Sequence, residues 1–171
     1  MYKSDSLYYY PTQSNLECPK VDKVILHTSV KTATTDVLTL FPTLVCMYLI
    51  SGQYPKLTYA KRSVAGFKLR ENQVLGCMVT LRNQRMINFL DKLIHIVLPK
   101  VPDFKGLKST SLSNNGCLNF GLSYVLAFPE LEAHFEIFDK VRGIHVSVHT
   151  QSSNKEQALQ ALTRIGFPIT N

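Results

Sequence analysis

A switch in side-chain periodicity near the middle of the chain constrains its fold more than any other feature. Over residues 77–82 apolar side chains occupy every second position, and the other face carries Thr80 and Arg82. This period of two predicts a strand with one buried face. From residue 83 to 98 the apolar residues instead recur three and four positions apart. That spacing predicts an amphipathic helix, which Pro99 ends.

The other predicted elements alternate between strand and helix without regular βαβ spacing, which favours an α+β fold with a mixed or antiparallel sheet. A length of 171 residues, a hydrophobic content of 45% and the lack of a linker predict one domain over residues 1–171. In chain order we expect a strand from Val21 to about Ser29, a helix from Thr35 or Asp36 to Ser51, an extended segment at 54–59, a hairpin bracketed by Gly66 and Gly76, a long loop at 102–116, strands at 117–128 and 141–150, and a helix at 154–164.

Positive charge is concentrated in the middle of the chain. Residues 51–108 carry a net charge of +8, whereas residues 1–50 sum to zero and residues 109–171 sum to −1. A localised positive field attracts polyanions, and each neutralised phosphate releases a counterion. The charge distribution therefore predicts a nucleic-acid interface, with a merely solvated basic face as the alternative from charge alone.

Several classes of protein lack support in the sequence. The cysteines at positions 18, 46, 77 and 117 form no C-x-x-C pair, so free core thiols in a reducing compartment are expected. The longest uncharged apolar stretch spans 14 residues, 37–50, fewer than the roughly 20 that cross a bilayer. The N-terminus matches neither a signal peptide nor an organelle presequence. We expect no membrane association.

Motifs for catalysis are also missing. The chain has no phosphate-binding G-x-x-x-x-G-K-[ST], no G-x-S-x-G elbow and no pair of carboxylates in its basic half. His145 and His149 are four residues apart, but on a predicted strand rather than the helix that metal pairs at this spacing normally use. We predict no enzyme, no catalytic residue, no cofactor and no metal, with an RNA-modifying enzyme as a weaker alternative.

Five ordered segments resemble one family, the large-subunit ribosomal protein five family, which binds 5S rRNA in the central protuberance. They are T-x-A-K-R-S-V-A-G-F-K-L-R, G-C-M-V-T-L-R, R-M-I-N-F-L-D-K-L-I, L-P-K-V-P-D-F-K-G-L and F-P-E-L-E-A-H-F-E-I-F-D-K-V-R-G-I-H-V-S-V-H-T. The resemblance covers about residues 17–168 and leaves 1–16 as an N-terminal extension. The segment PELEAHFEIF resembles mitochondrial members, so we predict a ribosome of the mitochondrial matrix, with the bacterial cytoplasm or a plastid as the alternative.

The resemblance implies a curved sheet with helices on one face and a concave RNA-binding face. It places 5S rRNA contacts at Gln53, Phe67 and Thr80, together with a position held here by His27. His27 departs from the Asn that is usual in the family, and residues 28–30 replace a glycine-containing loop. An amide and an aromatic ring at such positions suit hydrogen bonding and stacking with RNA bases.

The resemblance also implies further contacts on two surfaces. Contacts with phosphates of large-subunit rRNA and of the peptidyl-site tRNA are expected from Lys56, Lys61, Arg62, Ser63, Lys68, Arg70, Arg82 and Arg85. A bridge to small-subunit ribosomal protein thirteen is expected from Glu130, Glu132, Glu136 and Asp139. The implied protein is a structural constituent of the large subunit beside other central-protuberance proteins. The alternative is a free RNA-binding regulator or chaperone.

Overall fold

A five-stranded antiparallel sheet organises the chain. The computed structural model describes residues 19–102, 104–139, 141–152 and 154–170. Its strands are β1 (Lys20–Ser29), β2 (Lys56–Tyr59), β3 (Val74–Leu81), β4 (Leu107–Lys108), β5 (Cys117–Leu122), β6 (Ile144–Gln151) and β7 (Ile169–Thr170). The main sheet has the order β2-β3-β1-β6-β5, and β4 and β7 form a separate parallel pair. The predicted α+β class is confirmed.

Helices occupy the connections between these strands. They are α1 (Phe41–Ser51), α2 (Asn83–Lys92), α3 (Leu98–Lys100), α4 (Pro129–Glu132), α5 (Phe135–Phe138) and α6 (Lys155–Ile165). A π-helical segment, Leu93–Val97, joins α2 to α3, so the helix predicted over residues 83–98 is present with one wider turn. None of the helices in the described ranges is long and apolar enough to cross a membrane.

The core lies on one side of the sheet. Val24, Leu26, Val79 and Val148 are buried there and belong to one cluster with the buried residues of α1, α2 and α6. Successive side chains of a strand point to opposite faces of the sheet, so the remaining side chains of these strands point away from the core. We call this side the open face. It carries half-buried or exposed residues: Lys23, Ile25, His27, Lys56, Met78, Thr80, Cys117, Asn119, His145, Ser147 and His149.

The two glycines of the predicted hairpin have different roles from those expected. Gly76 lies inside β3 rather than at a turn, and a Cβ there would be 2.1 Å from the carbonyl oxygen of Thr28. Close approach of β3 to β1 therefore requires glycine. Gly66 does not have a positive φ, whereas Lys68, two residues later, adopts the left-handed conformation at φ 53°.

Three predicted boundaries also change. Asp36 caps a 3₁₀ turn, Val37–Leu40, by accepting a hydrogen bond from the Leu38 amide at 3.0 Å, and the α-helix begins only afterwards. The predicted loop 102–116 contains β4, which pairs with the C-terminal β7. The strand expected to reach residue 128 ends at Leu122, because a 3₁₀ turn follows.

Candidate nucleic-acid interface

Strand register brings two of the predicted 5S rRNA contacts onto the open face. His27 lies opposite Met78 in β3, and Thr80 lies two residues further along that strand, opposite Ile25. Directly opposed residues project to the same side of a sheet. Lys56 of β2 lies opposite Met78 and joins the same row. The open face thus combines an imidazole, a hydroxyl and an edge ammonium group.

His27 stacks on a second histidine across the strands. Its ring centroid is 4.9 Å from that of His145, and the two planes are inclined by 14°. Partial burial and the neighbouring His145 both lower the pKa of His27. The lowered pKa favours the neutral form of His27, and its ring lies nearly parallel to that of His145. Thr28 and Ser29, which stand where the resemblance implies a glycine-containing loop, belong to strand β1. The Thr28 hydroxyl donates a hydrogen bond to the Gly143 carbonyl at 2.8 Å.

Gln53 is held near the end of β3 that carries Thr80. The chain reverses after α1 at Gly52, where φ is 62°. The backbone N–H of Gln53 donates a hydrogen bond to the Ser51 hydroxyl at 3.2 Å. The side-chain oxygen of Gln53 accepts a weak hydrogen bond from Arg85 Nη1 at 3.4 Å. The predicted base contact and a predicted phosphate contact are therefore neighbours.

Phe67 lies in the loop between β2 and β3, at the opposite end of that strand pair. It belongs to the 3₁₀ turn Ala65–Phe67, and 74% of its surface is exposed. The ring therefore does not fill the core. A ring that is exposed to this extent is available for stacking.

The same loop carries exposed cations. Lys61, Arg62, Lys68 and Arg70 are exposed, and none of them forms an ion pair with a described carboxylate. Ser63, the other predicted phosphate contact of this loop, has a partner within the chain. Its hydroxyl accepts a hydrogen bond from the backbone N–H of Glu71 at 2.9 Å, which links two parts of the loop. Four cations on one loop without a described anionic partner favour phosphate binding.

The predicted bridge segment lies in the helical layer, away from the open face. Glu130 pairs with Lys92, and Glu132 pairs with Lys100, so two of the four predicted acidic contacts are bound within the chain. Glu136 and Asp139 are exposed. Beside them Phe135 and Ile137 are also exposed, at 55% and 51%. The segment offers two carboxylates and two apolar side chains to a partner.

One contact on the open face had no signal in the sequence. Cys117 Sγ lies 2.7 Å from Nδ1 of His149 because β5 and β6 pair these residues directly. Burial raises the pKa of the Cys117 thiol, and burial together with Lys23 lowers the pKa of His149, so both shifts favour the neutral forms of these groups. The described residues contain no cluster of three or more His, Cys, Asp or Glu that fits a metal ion.

Comparison with known proteins supports one family along almost the whole chain. The family described as "Ribosomal protein L5" matches residues 14–70, and the model of the C-terminal part of the same ribosomal protein family matches residues 74–169. The chain belongs to the ribosomal protein L5 family. It is a structural, non-enzymatic constituent of the large ribosomal subunit, which confirms the prediction that it is not an enzyme.

Relatives from three bacteria agree with this assignment, and each is described as "Large ribosomal subunit protein uL5". The protein of Lacticaseibacillus casei is 40% identical over 92% of this chain and 86% of its own length. The protein of Brevibacillus brevis is 41% identical over 91% of this chain and 86% of its own length. The protein of Bordetella avium is 38% identical over 93% of this chain and 88% of its own length. All three relatives come from bacteria, so these comparisons do not show the predicted mitochondrial origin.

Proposed function

We propose that this member of the ribosomal protein L5 family anchors 5S rRNA in the large subunit through its open face and the adjoining β2–β3 loop. The observation that carries the proposal is a sheet whose core-forming helices pack on one side, which leaves His27 and Thr80 accessible to a large ligand. The hydrogen-bonded Gln53 and the exposed Phe67 flank this face at the two ends of the β2–β3 pair.

The two parts of this surface suit different contacts. The open face offers rings, amides and hydroxyls, which are the groups that recognise unpaired RNA bases. The loop cations Lys61, Arg62, Lys68 and Arg70 suit phosphates, which position an RNA without reading its sequence. We assign the loop to the phosphates of large-subunit rRNA and of the peptidyl-site tRNA.

A second surface completes the proposal. Glu136 and Asp139, with the exposed Phe135 and Ile137 beside them, would contact small-subunit ribosomal protein thirteen. Acidic groups repel RNA and attract a basic protein. The separation of this segment from the open face supports simultaneous binding of 5S rRNA, other central-protuberance proteins and the small subunit.

The compartment is a separate part of the proposal. The resemblance of the segment PELEAHFEIF to mitochondrial members predicts a mitochondrial ribosome, and this stays a prediction. The bacterial relatives favour a ribosome of the bacterial cytoplasm.

Gel-shift titration against 5S rRNA purified from the large subunits of the source cell tests the RNA contact. A scrambled RNA of the same length is the competitor, and the salt concentration is varied. Preferential binding of 5S rRNA with a steep salt slope is expected. Equal, weak binding of both RNAs would contradict the proposal. Co-sedimentation with large subunits in high salt separates a resident ribosomal protein from a free RNA-binding regulator or chaperone, which would be released.

A further inference from the structure

A shallow hollow opens on the open face beside the stacked histidines. Its volume is about 290 Å³, which is just below the roughly 300–1,000 Å³ of sites for drug-sized ligands. It is lined by β1, β5 and β6, and the side chains that define it are His27, Asn119, His145 and Ser147. Of these, only His27 was predicted to contact RNA.

Strand register explains how the hollow forms. Gly121 lies opposite His145, and Asn119 lies opposite Ser147. The missing side chain at Gly121 leaves space beside the imidazole. A Cβ there would meet only His145 ring atoms, at 3.8 and 3.9 Å, so the space is open rather than tightly packed.

The chemistry of the lining selects a flat, polar ring. Two nearly parallel imidazoles offer a stacking surface, the exposed Asn119 amide offers both a donor and an acceptor, and Ser147 offers a hydroxyl. None of the lining residues is a lysine or arginine, which disfavours a phosphate. Stacking combined with hydrogen bonds to a ring edge is how proteins read an unpaired nucleobase.

We propose that this hollow, the base hollow, receives one unstacked nucleobase of the bound RNA. The base stacks on the outer side of the imidazole pair, and Asn119 and Ser147 hydrogen-bond its edge. The proposal rests on the proposed function, because it assumes that the open face binds 5S rRNA.

Three variants test the base hollow by gel shift against the same 5S rRNA. His145→Ala removes half of the stacking surface, Asn119→Ala removes the edge contact, and Gly121→Val keeps both groups but fills the space. His95→Ala removes an exposed imidazole on the helical side and is the matched control. Thermal melting verifies that each variant is folded, and chemical probing of unpaired bases identifies the nucleobase.

Loss of a stacked base should weaken binding by about 5- to 150-fold. The salt slope should stay unchanged because no phosphate contact is lost. The same one or two bases should lose protection in all three variants, while His95→Ala behaves like the unaltered protein. Unaltered affinity in the three variants would overturn the base hollow and leave the proposed function intact, and so would a reduced salt slope. If the unaltered protein does not prefer 5S rRNA, the proposed function fails first and the base hollow fails with it.

Discussion

Arg82 Nη1 lies 3.1 Å from Oδ1 of Asp22, so a residue predicted to contact RNA phosphate already has an anionic partner within the chain. Arg82 is the N-cap residue of α2 and Asp22 belongs to β1, so the pair links these two elements. The side chain of Arg82 is 52% exposed and that of Asp22 is 34% exposed. A phosphate must compete with Asp22 for this guanidinium. Arg82 therefore differs from the cations of the β2–β3 loop, which have no described anionic partner.

We expect Asp22→Asn to strengthen 5S rRNA binding and to steepen its salt slope by up to about one contact. The free energy of unfolding should change by less than about 1 kcal/mol, because an exposed ion pair contributes little to stability. Asp91→Asn makes the same change of charge on the helical side, where Asp91 pairs with His95. Equal gains in the two variants would show a general charge effect and not the release of Arg82.

The contrast between two glycines makes a second prediction. Gly76→Ala would place Cβ 2.1 Å from the Thr28 carbonyl oxygen and 2.9 Å from Ser29 Cα, both backbone atoms of β1. The strands must separate, so urea denaturation should show a loss of about 1–3 kcal/mol in the free energy of unfolding. Gly66→Ala meets nothing within 4 Å and should be tolerated. A stable Gly76→Ala protein would mean that β1 and β3 are further apart.

The strands and helices were predictable where one face of an element is buried. The period of two over residues 77–82 and the spacing over 83–98 both follow from burial against one core, and β3 and α2 confirm them. Local sequence did not reveal β4, because a two-residue strand has no periodicity and exists only through its pairing with β7. The sequence predicts a hairpin boundary at Gly76. The close approach of β1 to this residue depends on tertiary structure, which local sequence does not reveal.

The candidate site shows the same division. The basic loop was recognisable from composition, and Phe67 and Gln53 from the resemblance. The stacking of His27 on His145 and the contact between Cys117 and His149 depend on the pairing of β6 with β1 and β5, which no local pattern specifies. The ion pairs of Glu130 and Glu132 also arise from packing between segments that are distant in sequence.

Phe67→Ala should weaken 5S rRNA binding by about 1–3 kcal/mol, the range for loss of one stacked base. Because the ring is 74% exposed, the melting temperature should stay nearly constant. A reduced melting temperature would instead indicate that the ring supports the loop.

The double variant Lys61→Ala with Arg62→Ala should reduce the salt slope of 5S rRNA binding by about two, one counterion for each lost contact. The Phe67→Ala protein is the control for this measurement, since its slope should not change. An unaltered slope in the double variant would show that these cations do not contact phosphate.

Acidification should destabilise the protein through His27. Burial and the neighbouring His145 lower its pKa below the usual value of 6.5, so the unfolded chain binds the proton more tightly. Stability is then highest above about pH 6.5 and falls as the pH drops towards the lower, folded-state pKa. Urea denaturation at about pH 5 and about pH 8 should show a smaller pH effect for His27→Gln than for the unaltered protein. An equal pH effect would assign the loss to other groups.

The acidic segment divides into pairs with different roles. Glu130 and Lys92 are about one-third and one-quarter exposed, and Oε2 of Glu130 is buried without a hydrogen-bond partner among the described residues. Glu130→Gln leaves the Lys92 ammonium poorly compensated, so it should reduce the free energy of unfolding by about 1–3 kcal/mol. Glu132→Gln breaks a more exposed pair and should cost less than about 1 kcal/mol.

The carboxylates of Glu136 and Asp139 should instead act on a partner. Both are exposed beside the apolar Phe135 and Ile137, so Glu136→Gln with Asp139→Asn should leave the melting temperature unchanged. The double variant should bind small-subunit ribosomal protein thirteen more weakly, mainly through a slower association rate, because exposed charges at an interface steer encounter. Surface plasmon resonance measures this rate, and Glu132→Gln is the control because its carboxylate is already paired with Lys100. Association at the original rate would separate these two carboxylates from the proposed bridge, whereas slowing only in the double variant would assign the contact to the α5 end of the segment.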